Sequence, residues 1–332
     1  MSLAVIINVH SRRGASAVGD QIQRLFPDAR VFQSSTFEEL EAFVRGELTE
    51  RPPSLLLAGG GDGTITALIN MMIRLGRPLP PFGILPLGTG NAWARVCGLA
   101  SPSKGLERLA RLGGSPHPLS PFNLVRVGDQ VAPFAGTGWD AEVLSDFKSQ
   151  LEDWPAGPVR DAHRGFRGYV SALYTRTVAR HLVKGEPPRV RVVNLGEDAY
   201  TIDQAGEPVP LPGKGPGSVL FEGILGVAGA ATIEEYGFGL RAYPFARKMA
   251  RRLNVRVYSA KIMQGVVNSV RIWKGVHPLR GMHDFFVSRA RLEFDRELPV
   301  QVAGDVTEHR NSVELSLDDH QVQLLDWSAL PR

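Results

Sequence analysis

Residues 55–72 read LLLAGGGDGTITALINMM, an apolar run that breaks into three glycines, an aspartate, a glycine and a threonine before apolar residues resume at helical spacing. A loop without Cβ atoms can take positive φ and aim successive backbone N–H groups at an anion, and the helix N-terminus that follows adds its dipole. The glycines therefore make room for phosphate between a buried strand and a helix expected from about Ile65. Asp62 would repel phosphate unless a divalent cation or a transferable proton lies between them, which points to metal-assisted phosphoryl transfer. The same six residues also suit a tight strand-to-helix turn in which Asp62 caps the helix. This stretch alone leaves both readings open.

A second turn follows in FGILPLGTGNAWAR (82–95), again a strand, a glycine-rich corner and a helix. Two such corners at the carboxyl ends of strands in one sheet face one crevice, where open α/β sheets bind ligands. Neither corner is a Walker A loop or a dinucleotide fingerprint, because no GKS or GKT is present and no G-x-G-x-x-G follows a first strand.

The surrounding pattern supports an α/β first domain. LAVIINV, RVFQ, LLLA and FGILPL alternate with helical stretches through Leu25, in FEELEAFVRG and in ITALINMMIRL, which predicts a mostly parallel sheet. The segment GGSPHPLSP reads as a linker, and beyond it FNLVRV, VAPFAGTG, PRVRVVNL, SVLFEGILGVA, LNVRVYS, FFVSRARLEF, VQVAG, SVELSL and QVQLL predict an antiparallel β-sandwich. Helices near 140–152 and 166–184 interrupt these strands. Residues 197–218, rich in Gly and Pro, read as a mobile insertion. The expected division is 1–121 and 122–318, with a last strand at about 319–332 assigned to the first domain.

At 332 residues and 43% hydrophobic the chain is long enough for two cores. One cysteine, Cys97, cannot form an internal disulfide, and the start of the chain lacks a signal-peptide pattern, so a reducing cytoplasm is expected. No apolar run approaches the length of a spanning helix. The net charge of +4 permits an anionic partner without choosing one. No nucleic-acid module signature is present. The histidines lack zinc spacing, and no Ser/His/Asp set is evident.

GGDGT followed by PLGTGN, with an early IINVHSRRG and a later AGTGWDAEV (135–143), resembles the diacylglycerol kinase catalytic-domain family, which includes soluble bacterial lipid kinases and the sphingosine and ceramide kinases. The resemblance implies an N-terminal α/β nucleotide-binding domain, a C-terminal antiparallel β-sandwich with helices that carries the lipid site, and ATP with Mg2+ in the cleft between them. It places ATP phosphates on Gly60, Gly61, Asp62, Gly63 and Thr64, with Thr89 and Asn91 beside them, and makes Asp62 the metal ligand. Asn8 and Ser11 match the start of the family's N-P-x-S-G loop, in which Val9 replaces the proline. Arg12 stands for the glycine and would offer a guanidinium to phosphate. Ser34 or Ser35 would approach the nucleotide, and Asp140 and Glu142 would meet the substrate.

Three departures bear on this resemblance. Ala92 follows Asn91 where many bacterial members have aspartate, as in the G-S-G-N-A of sphingosine kinases. The late D-G-E motif, whose glutamate is the family's general base, is Ala303-Gly304-Asp305 here, which keeps an acid on a shorter arm and leaves Glu308 as an alternative. RKMARRLNVRV replaces the D-G-x-L segment of a second magnesium site, which is expected to be absent. The implied activity is phosphorylation of a lipid hydroxyl, with catalysis by Asp62 and Asp305 and diacylglycerol as the first acceptor. Sphingoid bases or ceramide, an NAD kinase-like reaction, and a non-catalytic lipid or nucleotide binder are the alternatives. The expected partner is lipid at a membrane surface met peripherally, with 237–257 offering interleaved cations and aromatics, and a homodimer is compatible.

Overall fold

The structure, a computed structural model, describes residues 2–9, 11, 15–88, 90–99, 101–113, 115–183 and 186–331. The chain divides into two compact units, Met1–Asn123 with Asp319–Arg332, and Leu124–Asp318.

The first unit alternates strand and helix: β1 (Leu3–Asn8), α1 (Ala15–Leu25), β2 (Arg30–Ser34), α2 (Phe37–Arg45), the single turn α3 (Glu47–Glu50), β3 (Leu55–Gly60), α4 (Asp62–Arg74), β4 (Phe82–Pro86), α5 (Ala92–Val96) and α6 (Pro102–Arg111). The strands run parallel in the order β2-β1-β3-β4. All six residues of β3 are buried, as an apolar strand covered on both faces requires. Thr36 and Glu39 form a reciprocal cap that starts α2. Leu324 pairs in parallel with Phe82 and brings the chain end to this sheet. Trp327 is fully buried there, and Arg108 donates to the carbonyls of Ser328, Leu330 and Pro331.

The second unit is built from β5 (Leu119–Val127), β6 (Gln130–Ala132), β7 (Phe134–Gly138), α7 (Trp139–Asp153), α8 (Pro158–Ala162) and α9 (Phe166–Ala172). Helix α9 continues through a π-helical stretch (Leu173–Val178) into α10 (Ala179–Val183). Strands β8 (Arg189–Asn194), β9 (Tyr200–Ile202), β10 (Pro208–Pro210), β11 (Val219–Ile224), β12 (Val227–Ala231) and β13 (Leu253–Tyr258) follow. The remaining elements are α11 (Ile262–Val267), α12 (Ser269–Trp273), β14 (Met282–Val287), β15 (Arg289–Val302) and β16 (Asp305–Leu325). The division between units falls inside β5 and inside β16.

Strand β15 serves two layers. Ala290–Phe294 pair with β8, whose other neighbour is β11, and Val300–Val302 pair with β7, which leads to β12, β13 and β14. Val190 and Val192 from one branch share a core with Val255, Val257 and Val300 from the other. The expected antiparallel sandwich is thus present, and its layers close over one apolar interior.

Three local expectations are corrected. Residues 197–218 are not a loose insertion: β9 and β10 form a hairpin bonded to β14 through Phe285↔Thr201 and Phe286↔Tyr200. Residues 119–121 belong to strand β5 rather than to the linker. Helix α4 starts at Asp62, three residues earlier than expected, because Gly61 is extended (φ −89°, ψ 175°) and a carboxylate in the first turn is favoured by the helix dipole.

The turn between β15 and β16 has two residues, Ala303 (φ +51°) and Gly304 (φ +86°), with Val302 opposite Asp305. Both turn residues take the left-handed conformation that two-residue hairpins demand. Ala303→Val should therefore lower stability by about 2 kcal/mol or more, because a β-branched residue is an outlier there, while Ala303→Gly stays within about 1 kcal/mol of wild type. Denaturant midpoints of the two variants check this; equal midpoints for valine and alanine would contradict the geometry.

Candidate active site

In the first unit the carboxyl ends of β1, β2, β3 and β4 present Asn8, Ser34, Gly60 and Pro86 along one edge of the sheet. The two glycine corners touch backbone to backbone. The carbonyl of Gly60 accepts from the N–H groups of both Leu87 and Gly88, each at 3.1 Å. A Cβ built on Gly88 would lie 2.2 Å from the Cα of Gly61, and one on Gly60 would lie 2.8 Å from the Cβ of Thr64. A side chain at Gly88 would have to move the opposing turn, and one at Gly60 would have to move Thr64 of its own corner.

Asp62 fastens the same contact. Its Oδ1 accepts from the N–H of Trp93 at 3.1 Å, so the carboxylate from the first corner sits at the start of α5, behind the second. Burial pushes the Asp62 pKa up, and hydrogen bonds from the N–H groups of Ala92, Trp93 and Asn91 oppose it, with a net upward shift. Asn91 does not cap α5 with its own side chain. It is left-handed (φ 56°, ψ 40°) and turns its amide back to Gly88, accepting from its N–H at 3.1 Å and donating to its carbonyl at 2.9 Å. Asp62 does act as a cap, but for a helix thirty residues downstream rather than for its own. Ala92 is fully buried; a carboxylate in its place would have to be accommodated beside Asp62 without solvent.

The other candidates in this unit gather around the corners. Asn8 donates from Nδ2 to Thr64 Oγ1 at 3.1 Å, and Ser11 donates its N–H to the carbonyl of Asn8 at 3.0 Å. Ser34 is buried opposite Asn8 in the strand register, and its carbonyl accepts from Val9. Gly63 is exposed in the first turn of α4. Arg12 and Thr89 lie outside the described residues. Trp93, which the sequence reading passed over, is fully buried and donates from Nε1 to Thr66 Oγ1 at 3.3 Å, pinning α5 against α4.

In the second unit the sequence candidates separate into two groups. Glu142 Oε2 meets Arg180 at 3.1 Å and His181 at 2.8 Å; burial would raise this carboxyl, but the interactions with His181 and Arg180 hold it below its usual range. Asp146 joins the cluster through Thr177 and Arg180. Glu142 thereby ties α7 to α10.

Asp140 belongs elsewhere. Its Oδ2 accepts from Gln301 Nε2 at 3.3 Å and lies 3.4 Å from the Tyr236 hydroxyl, which is 3.0 Å from that of Tyr243. Gln301 Oε1 in turn accepts from the N–H of Gly304 at 3.0 Å. A polar chain thus runs from the buried Tyr243 and the half-buried Tyr236 through Asp140 to the hairpin that carries Asp305. Asp305 projects from that turn, its Oδ1 2.9 Å from Lys148 Nζ. Burial, and then the charge of Asp305, push the Tyr169 hydroxyl up to about 12. Glu308 pairs with Arg310.

Segment 237–257 exposes Arg241, Arg247, Lys248 and Arg251, but the aromatics between them do not share that surface. Tyr243 and Phe245 are core residues, and Lys248, Arg252 and Arg256 pair with Glu207, Glu197 and Asp284.

Comparison with known proteins agrees with the first unit's geometry. Residues 2–120 match the family profile of the diacylglycerol kinase catalytic domain. A Serratia proteamaculans (strain 568) protein named "Probable lipid kinase YegS-like" is 41% identical over 78 residues, 23% of this chain and 24% of that protein. Human diacylglycerol kinase iota is 49% identical over 52 residues, 15% of this chain and 5% of the enzyme. The matched segments therefore span a quarter or less of these relatives. A crystal structure of a diacylglycerol kinase from Bacillus anthracis strain Sterne has the same fold over 98% of this chain and 96% of its own, with a TM-score of 0.63 and 14% identity.

The phosphates of ATP fit the first corner, where the backbone of Gly88 approaches too closely for a side chain of its own and the first turn of α4 has no side-chain cap. For Mg2+ the described donors near the corners offer one carboxylate, Asp62, and no group of three or more His, Cys, Asp or Glu among the described residues is arranged to hold a metal. One carboxylate suffices where substrate phosphates supply the remaining oxygens, as Mg2+ commonly requires.

Two predictions arise from this geometry. Asp62→Ala should lower stability by about 1–2 kcal/mol, since it uncaps α5, whereas Asp62→Asn keeps an acceptor and should cost less; chemical denaturation of both variants decides it. For Asp140, burial outweighs the hydrogen bonds and raises the pKa from 3.8 to about 7. A carboxyl raised on folding stabilises fully below its unfolded pKa and loses that contribution as pH climbs through the folded value. Between about pH 5 and about pH 8, wild type should therefore lose on the order of 3 kcal/mol relative to Asp140→Asn. Parallel denaturant midpoints with a pH-independent difference would contradict this.

Proposed function

We propose that this chain is an ATP-dependent lipid kinase that transfers the γ-phosphate of ATP to a lipid hydroxyl, with diacylglycerol as the acceptor. The observation that carries the proposal is the backbone contact of Gly61 with Gly88, latched by Asp62, within a segment of the diacylglycerol kinase catalytic-domain family. A contact with no room for a side chain at Gly88, beside a first turn of α4 that has no side-chain cap, suits phosphate oxygens.

In this reading Gly60, Gly61, Gly63 and Thr64 bind phosphate oxygens, with Asn91 closing the second corner. Asn8, Ser11, Arg12 and Ser34 flank the nucleotide. Asp62 would hold Mg2+, which when bound neutralises charge on the phosphates. Asp305 accepts the proton of the lipid hydroxyl, and Lys148 holds that carboxylate in a defined position before substrate arrives. Asp140 acts through Gln301 and the N–H of Gly304 to set the turn from which Asp305 projects.

One observation favours a second reading. Asp62 already satisfies the start of α5, and the neighbouring position is the buried Ala92, so a protein that binds nucleotide and lipid without turnover would keep the same latch. Transfer of label from γ-labelled ATP into detergent-dispersed diacylglycerol, monoacylglycerol, sphingosine and ceramide, with NAD as a soluble control, separates the readings. The expected result is label in diacylglycerol, lost in Asp62→Asn and reduced by about 100-fold in Asp305→Asn, the low end for a general base. Label in sphingosine or ceramide alone would reassign the acceptor, and ATP binding with no label in any lipid would favour the non-catalytic binder.

A further inference from the structure

Helices α11 and α12 bury one face and leave the other apolar as well. Ile262, Val266 and Ile272 pack with Trp139, Tyr258, Leu279 and the π-helical Leu173 and Val178. On the opposite side Met263, Val267 and Val270, spaced four and three residues apart, are 45%, 79% and 63% exposed. That spacing is one stripe of a helix. Asn268 keeps the stripe continuous across the break between the helices, donating to Gln264 O and to the Tyr258 hydroxyl.

A second exposed row stands on the helix packed against the same core. Phe166, Val170 and Tyr174 recur every four residues, and all are exposed. Phe166 meets Trp273 of α12 edge to face at 5.4 Å between centroids, so the two helices touch between their exposed rows. Scattered exposed apolar residues are ordinary on any surface, but rows on two touching helices form a patch, and a patch marks an interaction surface.

Charge identifies what this patch meets. From Tyr236 to His283 the sequence has no aspartate or glutamate. Lys261, Arg271 and Lys274 are exposed beside the valine stripe, Arg167 beside Phe166, and none of the four has an acidic partner in an ion pair among the described residues. The cations of 237–257, by contrast, include three that are neutralised by carboxylates. Apolar side chains rimmed by unpaired cations match the boundary between acyl chains and anionic headgroups, where the first are desolvated and the second meet opposite charge. A nucleic acid would meet the cations but leave the valines in water.

We infer that the α11–α12 face, with the row from Phe166 to Tyr174, docks this protein on an anionic lipid bilayer. The inference draws its purpose, delivery of the enzyme to a membrane-resident acceptor, from the lipid-kinase reading, while its evidence is independent of it. Flotation of the purified full chain with vesicles of phosphatidylcholine alone, or of phosphatidylcholine with phosphatidylglycerol, tests it. Wild type should float with the anionic vesicles and far less with the neutral ones. Val267→Glu with Val270→Glu should weaken partitioning by about tenfold or more. Lys261→Gln, Arg271→Gln and Lys274→Gln together should weaken it by about fivefold per cation at low ionic strength, with the loss shrinking at high salt.

Circular dichroism and the unfolding midpoint confirm that the variants fold, and phosphorylation of a short-chain diacylglycerol dissolved as monomer should stay within about twofold of wild type, as for surface substitutions. Failure of wild type to float, or equal flotation of all three proteins, overturns the inference. A wild-type dimer that dissociates in the glutamate variant without any vesicle binding also overturns it, in favour of a protein interface. Normal flotation with no label in any lipid would instead count against the kinase reading.

Discussion

The first unit depends on a contact between two pieces of backbone. Gly61 and Gly88 lie so close that a side chain on Gly88 would part them, and the Gly60 carbonyl is shared by two N–H groups of the opposite turn. Glycines so placed cost conformational entropy on folding and bury nothing apolar. What holds them is Asp62, whose carboxylate supplies the cap that the short helix α5 does not obtain from Asn91. With Asn91 folded onto Gly88 and Trp93 wedged under Thr66, the corners become one rigid object. The N–H groups left over are then fixed in place before any ligand arrives, which is how an anion site is preorganised.

The second unit carries a carboxylate, Asp305, at the tip of a hairpin. A two-residue turn with an alanine in left-handed backbone is a strained mount. The polar chain from Tyr243 and Tyr236 through Asp140 and Gln301 to the Gly304 N–H braces it from inside the fold. Lys148 steadies Asp305 from outside. Buried polar networks are costly unless satisfied, so the number of groups spent on this turn argues that its position matters.

Much of this was legible in the sequence where local rules dominate. The apolar LLLA run, the glycine corners and the alternating strands of the second unit follow from backbone sterics and period-two burial, and the structure has them. The resemblance could be read because the motifs that carry it occur in order along the chain. Contacts between residues distant in sequence were not legible. Nothing in GGGDGT says that Asp62 caps a helix thirty residues on, nor in GWDAEV that Asp140 and Glu142, two residues apart, turn to different partners. Tyr236 and Tyr243 sit in irregular chain with no period to mark them, although Gln301, a lone amide between buried valines in VQVAGD, was a signal available and unused. Nor can composition see Glu197, Glu207 and Asp284, which pair with Arg252, Lys248 and Arg256 across the second unit.

The central claim is that the Gly61–Gly88 contact is a preformed phosphate site. Titration calorimetry of ATP with Mg2+ into wild type and Gly88→Ala tests it most directly, because the added methyl must displace Gly61 whether or not catalysis follows. The account predicts ATP binding by wild type, weakened by about tenfold or more in a Gly88→Ala protein that remains folded, as expected where a donor set is misplaced. Equal affinity in the two proteins would contradict it.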